Sequence, residues 1–167
     1  KWVRMLAPKS FNSIELGETL VASPNDLIGK KVEVSLTQLN KGKNSNIKLI
    51  FQVKEIVEGE GICGTCGYYI LSTFARRVVR KGRSKIYEAY KLKTKDDISS
   101  VLKLVLVTLT KVNSGIEKSL RKELKVLIDK EVKENNFEAV LDSIIDYKFQ
   151  RMIKDSIKKV YPVSAAE

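Results

Sequence analysis

Three regions of this chain separate by hydrophobic period, and that separation bounds what it can fold into. Up to Val57 apolar residues recur mostly at every second position. Val32, Val34 and Leu36 alternate with Lys31, Glu33, Ser35 and Thr37, as a strand with one buried face requires. The polar stretch 40–46 reads as a hairpin loop, and Ile47, Leu49, Phe51 and Val53 resume the alternation beyond it. From Ser114 onward the period is helical. Ile116, Leu120, Leu124, Leu127, Ile128 and Val132 make one stripe, ending near Glu134. Phe137, Val140, Leu141, Ile144 and Ile145 make a second, and Phe149, Met152, Ile153, Ile157 and Val160 a third that stops before Pro162. Ser114-Gly-Ile-Glu117 has the pattern of a capping box for the first helix.

Other segments carry weaker signals. Pro8, Gly17, Pro24 and Gly29 predict irregular backbone between Trp2 and the first alternating strand. Gly59-Glu-Gly-Ile-Cys-Gly-Thr-Cys-Gly67 reads as a glycine-rich turn between strands. A short helix is predicted over 72–81, and strands over 85–94 and 99–110, the second apolar on both faces as if covered on both sides. Strands first and helices later is an α+β arrangement. With five or more mostly antiparallel strands and no long crossover among them, the expected form is a small β-barrel with a short basic helix inserted, followed by a helical region. The expected division is 1–111 for the barrel and 112–167 for helices packed on it, in one continuous globular unit.

Charge narrows the function. Lys and Arg number 31 against 20 Asp and Glu, a net charge of +11 that points to a polyanionic partner, nucleic acid before an acidic membrane surface. Histidine is absent, which removes the commonest general base and every His-containing zinc site within the chain. The most apolar stretch, 101–109, carries Lys103 and has about half the length a membrane helix needs. No membrane association is expected, and a cytoplasmic location is the default.

Cys63-Gly-Thr-Cys66 is half of a zinc site, with no further Cys or His to complete it. A redox pair would need a strand-to-helix context that the glycines do not suggest. Two ordinary cysteines in a turn is the expectation, with metal or redox chemistry as the alternative. The carboxylates of Glu15, Glu18, Asp96 and Asp97 form no acid–base pair, so no catalytic residue, metal or cofactor is assigned.

The densest charge is Arg76-Arg77-Val-Val-Arg80-Lys81-Gly-Arg83-Ser-Lys85, six basic residues in ten with no acid. On a helix, Arg76, Arg77, Arg80 and Lys81 would share one face, with Leu71, Phe74, Ala75 and Val78 behind. Phosphate oxygens would neutralise such a cluster; the alternative is a solvated face balanced by acids elsewhere. On the next strand Lys85, Tyr87, Ala89, Lys91 and Lys93 share a face, where Tyr87 either stacks on a base or packs. Lys1, Arg4, Lys9, Lys41, Lys43 and Lys48 are looser candidates for backbone contacts.

Several segments then stand in a telling order: Leu6-Ala-Pro-Lys-Ser-Phe11, Glu15-Leu-Gly-Glu-Thr19, Leu27-Ile-Gly-Lys-Lys-Val-Glu-Val-Ser-Leu-Thr-Gln-Leu39, Lys48-Leu-Ile-Phe-Gln-Val53, Arg83-Ser-Lys-Ile86 and Val160-Tyr-Pro162. Together they resemble the S-three-A-e family of small-subunit ribosomal proteins, in its archaeal branch. The resemblance implies a structural, rRNA-binding subunit on the platform near the messenger exit, bound to the ribosome in the cytoplasm. It implies neighbouring ribosomal proteins as partners, messenger RNA as a further contact, no homo-oligomer, no catalytic residue, and continuation past the position of Glu167. The family's basic run maps onto Arg76, Arg77, Arg80, Lys81, Arg83 and Lys85, with Gly82 interrupting it. A free-standing RNA-binding barrel and a Cys63/Cys66 enzyme are the alternatives.

Overall fold

A computed structural model describes residues 2–39 and 46–167, and the chain divides into two compact units, Lys1–Leu71 and Ser72–Glu167. The first holds β1 (Trp2–Leu6), β2 (Glu15–Leu20), β3 (Lys31–Ser35), β4 (Ile47–Val57) and β5 (Glu60–Ile70) in one sheet of order β2-β1-β5-β4-β3. All neighbours are antiparallel except β1 and β5. The alternation read in the sequence places Val34, Ile47, Leu49, Phe51 and Val53 in the core, with Val3 and Met5 from β1. Phe11, on a 3-10 turn, meets Phe51 edge-on at 5.5 Å between ring centroids, a favoured aromatic geometry.

The sheet does not close. β2 and β3 are its two ends, so the expected barrel is replaced by an open five-stranded sheet. The strands 85–94 and 99–110 that were to complete the barrel belong to the second unit instead. There β6 (Lys85–Lys93), β7 (Ser99–Thr108) and β8 (Val163–Ala166) form an antiparallel sheet of order β6-β7-β8. Helices α2 (Ser114–Glu134), α3 (Phe137–Ile145) and α4 (Lys148–Ile157) follow β7 and precede β8. Ile86, Leu92, Leu104 and Leu106 of the sheet pack with Leu120, Leu124, Ile128 and Val132 of α2 and with Phe149, Ile153 and Ile157 of α4. An amphipathic helix layer thus buries the apolar face that barrel closure would otherwise have buried. The compact units accordingly divide at Leu71/Ser72, whereas the sequence expectation set its division at 111/112.

Four local expectations need correction. The segment expected to be irregular contains β1 and β2, in register Trp2↔Leu20 to Met5↔Gly17, because Gly17 supplies a φ of +148° where the strand would otherwise be strained. The turn in the glycine-rich segment is confined to Glu58 and Gly59, both at positive φ, and the rest is β5. Gly61 marks a close approach, since an added Cβ would lie 3.3 Å from Val53 and 3.6 Å from the Arg4 carbonyl. Helix α2 starts one residue beyond Asn113, its N-cap, with no side-chain cap, so Ser114 does not close the expected box. Finally, β8 follows Pro162 where the sequence showed no strand.

Candidate nucleic-acid interface

The short helix α1 (Ser72–Val78) presents Arg76 and Arg77 in its last turn, where cations complement the partial negative charge of the exposed carbonyls. Both are exposed, while Phe74, Ala75 and Val78 are half-buried, as the helical spacing predicts. The Arg77 guanidinium lies 5.9 Å from the centre of the Phe74 ring. The helix ends three residues before Lys81, as β-branched Val78 and Val79 disfavour continuation. Arg80 and Lys81 therefore sit in a turn, not on the helix face expected for them.

That turn explains the interruption in the basic run. The Arg83 amide donates to the Arg80 carbonyl at 3.3 Å, and Gly82 takes φ +82° at the third position, as a type II turn requires. An alanine there would meet open space but would occupy a left-handed conformation costing about 1 kcal/mol. Beyond the turn the chain is locked. The Ser84 amide donates to Thr108 Oγ1 at 3.0 Å, the Thr108 amide donates to the Ser84 carbonyl at 3.0 Å, and the Val112 amide donates to Ser84 Oγ at 3.1 Å. Arg83 is half-buried and donates from Nη1 to Ser164 Oγ at 2.5 Å. Part of its guanidinium is thus committed to holding β8 rather than free for an anion.

From Lys85 the run passes into β6, whose outward positions are Lys85, Tyr87, Ala89, Lys91 and Lys93, all exposed. The inward positions Ile86 and Leu92 are in the core, and half-buried Glu88 pairs with Arg121 of α2 at 2.7 Å. The β6–β7 register then adds a residue the sequence reading missed: Lys103, directly opposite Ala89 and diagonal to Tyr87 and Lys91. Pairing the two strands across the Asp96-Asp97 turn would have found it.

Twenty-two of the 31 basic residues but only 13 of the 20 acids lie in 72–167, leaving that unit +9 of the net +11. Residues 1–167 match the model of the Ribosomal S3Ae family.

The chain belongs to that family.

Its relatives include small ribosomal subunit protein eS1 of Halobacterium salinarum, 28% identical over all of this chain and 81% of its own length. The protein of the same name from Desulfurococcus amylolyticus is 29% identical over all of this chain and 79% of its own. That from Methanobrevibacter smithii is 27% identical over 99% of this chain and 86% of its own. The S3Ae family is one of ribosomal structural proteins, not of enzymes.

The remaining candidates can be weighed within the S3Ae fold. Arg4 pairs with Glu18 at 3.1 Å across β1 and β2. Lys48 pairs with Glu33 at 3.4 Å, and Glu33 also accepts from the Tyr69 hydroxyl, which holds its carboxyl below the usual range. Lys9 is exposed on its 3-10 turn. Lys1, Lys41 and Lys43 lie outside the described residues. The cysteines are on β5 rather than in a turn: Cys63 is buried opposite Val53, and Cys66 is exposed at a bulge between Thr65 and Gly67. Burial pushes the Cys63 thiol up, away from the thiolate that metal or redox chemistry needs. No cluster of three or more possible metal ligands occurs among the described residues.

Proposed function

We propose that this chain is a structural constituent of the small ribosomal subunit, and that its 72–167 unit engages small-subunit rRNA through Arg76, Arg77, Arg80, Lys81, Lys85, Lys91 and Lys93. Arg4, Lys9 and Lys48 are peripheral contacts in this reading, and Arg83 contributes mainly by holding β8. The observation that carries it is the family match over the whole chain, to which relatives named as small-subunit proteins add support. The physical mechanism is electrostatic. Lysines and arginines displace counterions from folded RNA and grip phosphates, while the packed core of the 72–167 unit supports the strand that carries them. A site on the platform near the messenger exit, in the cytoplasm, with other ribosomal proteins as neighbours, belongs to the same proposal.

A sucrose-gradient profile of native lysate at moderate and high salt tests it. The chain is expected to migrate with small subunits at both. Migration at the top of the gradient throughout would refute the ribosomal role.

A further inference from the structure

We infer that the outward face of β6, with the exposed Val101–Lys103 end of β7, holds an unpaired RNA segment, with one base stacked on Tyr87 and its flanking phosphates on Lys91 and Lys103. This rests on the RNA-binding reading above and specifies the kind of RNA that this face takes.

Tyr87 is an aromatic side chain outside the core of its unit. It is 50% exposed and absent from the core that its inward neighbours build. The Lys85 ammonium lies 5.8 Å from the centre of its ring. A ring so placed offers a flat apolar face beside cations, which is the arrangement on which successive bases stack. A base inside a duplex is already stacked on both sides, so the ligand that can use this ring is single-stranded.

The surroundings fit that ligand. Ala89, the next outward residue on β6, carries only a methyl group beside the ring, and Lys103 faces it across the ladder. Val101, 59% exposed and opposite Lys91, extends the apolar floor. Lys91 and Lys93 follow at alternate positions, about 6.8 Å apart along the strand, forming a cationic rail that an extended backbone can track. Few acids oppose it. Glu88 points inward to Arg121, and Asp96, in the turn beyond Lys93, accepts the Phe137 amide at 3.2 Å. Glu167 aligns with Val105 on the far strand, where burial pushes its carboxyl up, toward the neutral form.

Fluorescence anisotropy of the full chain with a labelled oligouridylate of about ten nucleotides, and with an RNA duplex of about 16 base pairs, tests the inference. Tyr87→Ala is expected to weaken oligouridylate binding by about five- to a hundredfold while leaving duplex binding within about twofold. Tyr87→Phe, which keeps the stacking face, should retain the wild-type affinity. Lys91→Gln and Lys103→Gln should each reduce the salt slope for the oligouridylate by about 0.7. Unchanged oligouridylate binding by Tyr87→Ala, or an equal loss for the duplex, would overturn the stacking site. If the chain still migrates with small subunits, the ribosomal reading survives that result. Failure of the wild-type chain to bind either RNA would instead remove the RNA-binding reading and the stacking site together.

Discussion

The double substitution Arg76→Glu with Arg80→Glu is expected to lower incorporation into small subunits by about a hundredfold or more while the isolated chain stays folded. Each change removes a charge-assisted phosphate contact worth about 1.5–3 kcal/mol and places a like charge against the RNA backbone. The cost to folding is smaller. Both side chains are exposed, and Arg80 lies outside the helix. Glu at position 76 opposes the α1 dipole at its C-terminal end, a penalty of about 0.3–1 kcal/mol. Gradient fractionation of cells expressing the variant, with a thermal melt of the purified chain, separates the two effects. Normal incorporation would remove this cluster from the mechanism.

A second large effect is expected in the core that supports the basic strand. Ile128 of α2 is fully buried in the core shared with the sheet and α4, so Ile128→Ala should cost about 2–5 kcal/mol through lost burial and the cavity left behind. For a unit of this size that lowers the melting midpoint by roughly 10 °C or more. Val126 lies on the same helix but is 60% exposed, and Val126→Ala should stay within about 0.5 kcal/mol. Circular dichroism melts of both variants check the contrast. Similar midpoints for the two would mean that α2 does not bury the face assigned to it.

What was legible in the sequence follows from how local each signal is. The stripe from Leu120 to Val132 is long enough for its period to be unambiguous, and α2 ends at Glu134 as that stripe predicts. The basic run is a matter of composition and needs no fold to be noticed. Its shape was not legible. Gly82 reads as an interruption in the basic run just past the expected helix, and the Arg80–Arg83 hydrogen bond shows that the turn it pivots begins at Arg80, inside that expected helix. Lys103 was missed for a related reason, since its neighbours lie on another strand. The barrel failed on partner choice: alternation shows that a strand buries one face, not whether a helix or another strand covers it. Thus β6 and β7 packed under α2 and α4, leaving the first sheet open. The strand β8 carries only Val-Ser-Ala-Ala and owes its conformation to pairing with β7.

The central claim, that the basic surface of the 72–167 unit holds ribosomal RNA, is tested most directly by ultraviolet crosslinking of intact small subunits and mass spectrometry of the RNA-linked peptides of this chain. Linked peptides spanning Arg76 to Lys93 are expected, with Tyr87 among the modified residues. Linked peptides confined to 2–71, with the basic run recovered free of RNA, would contradict it.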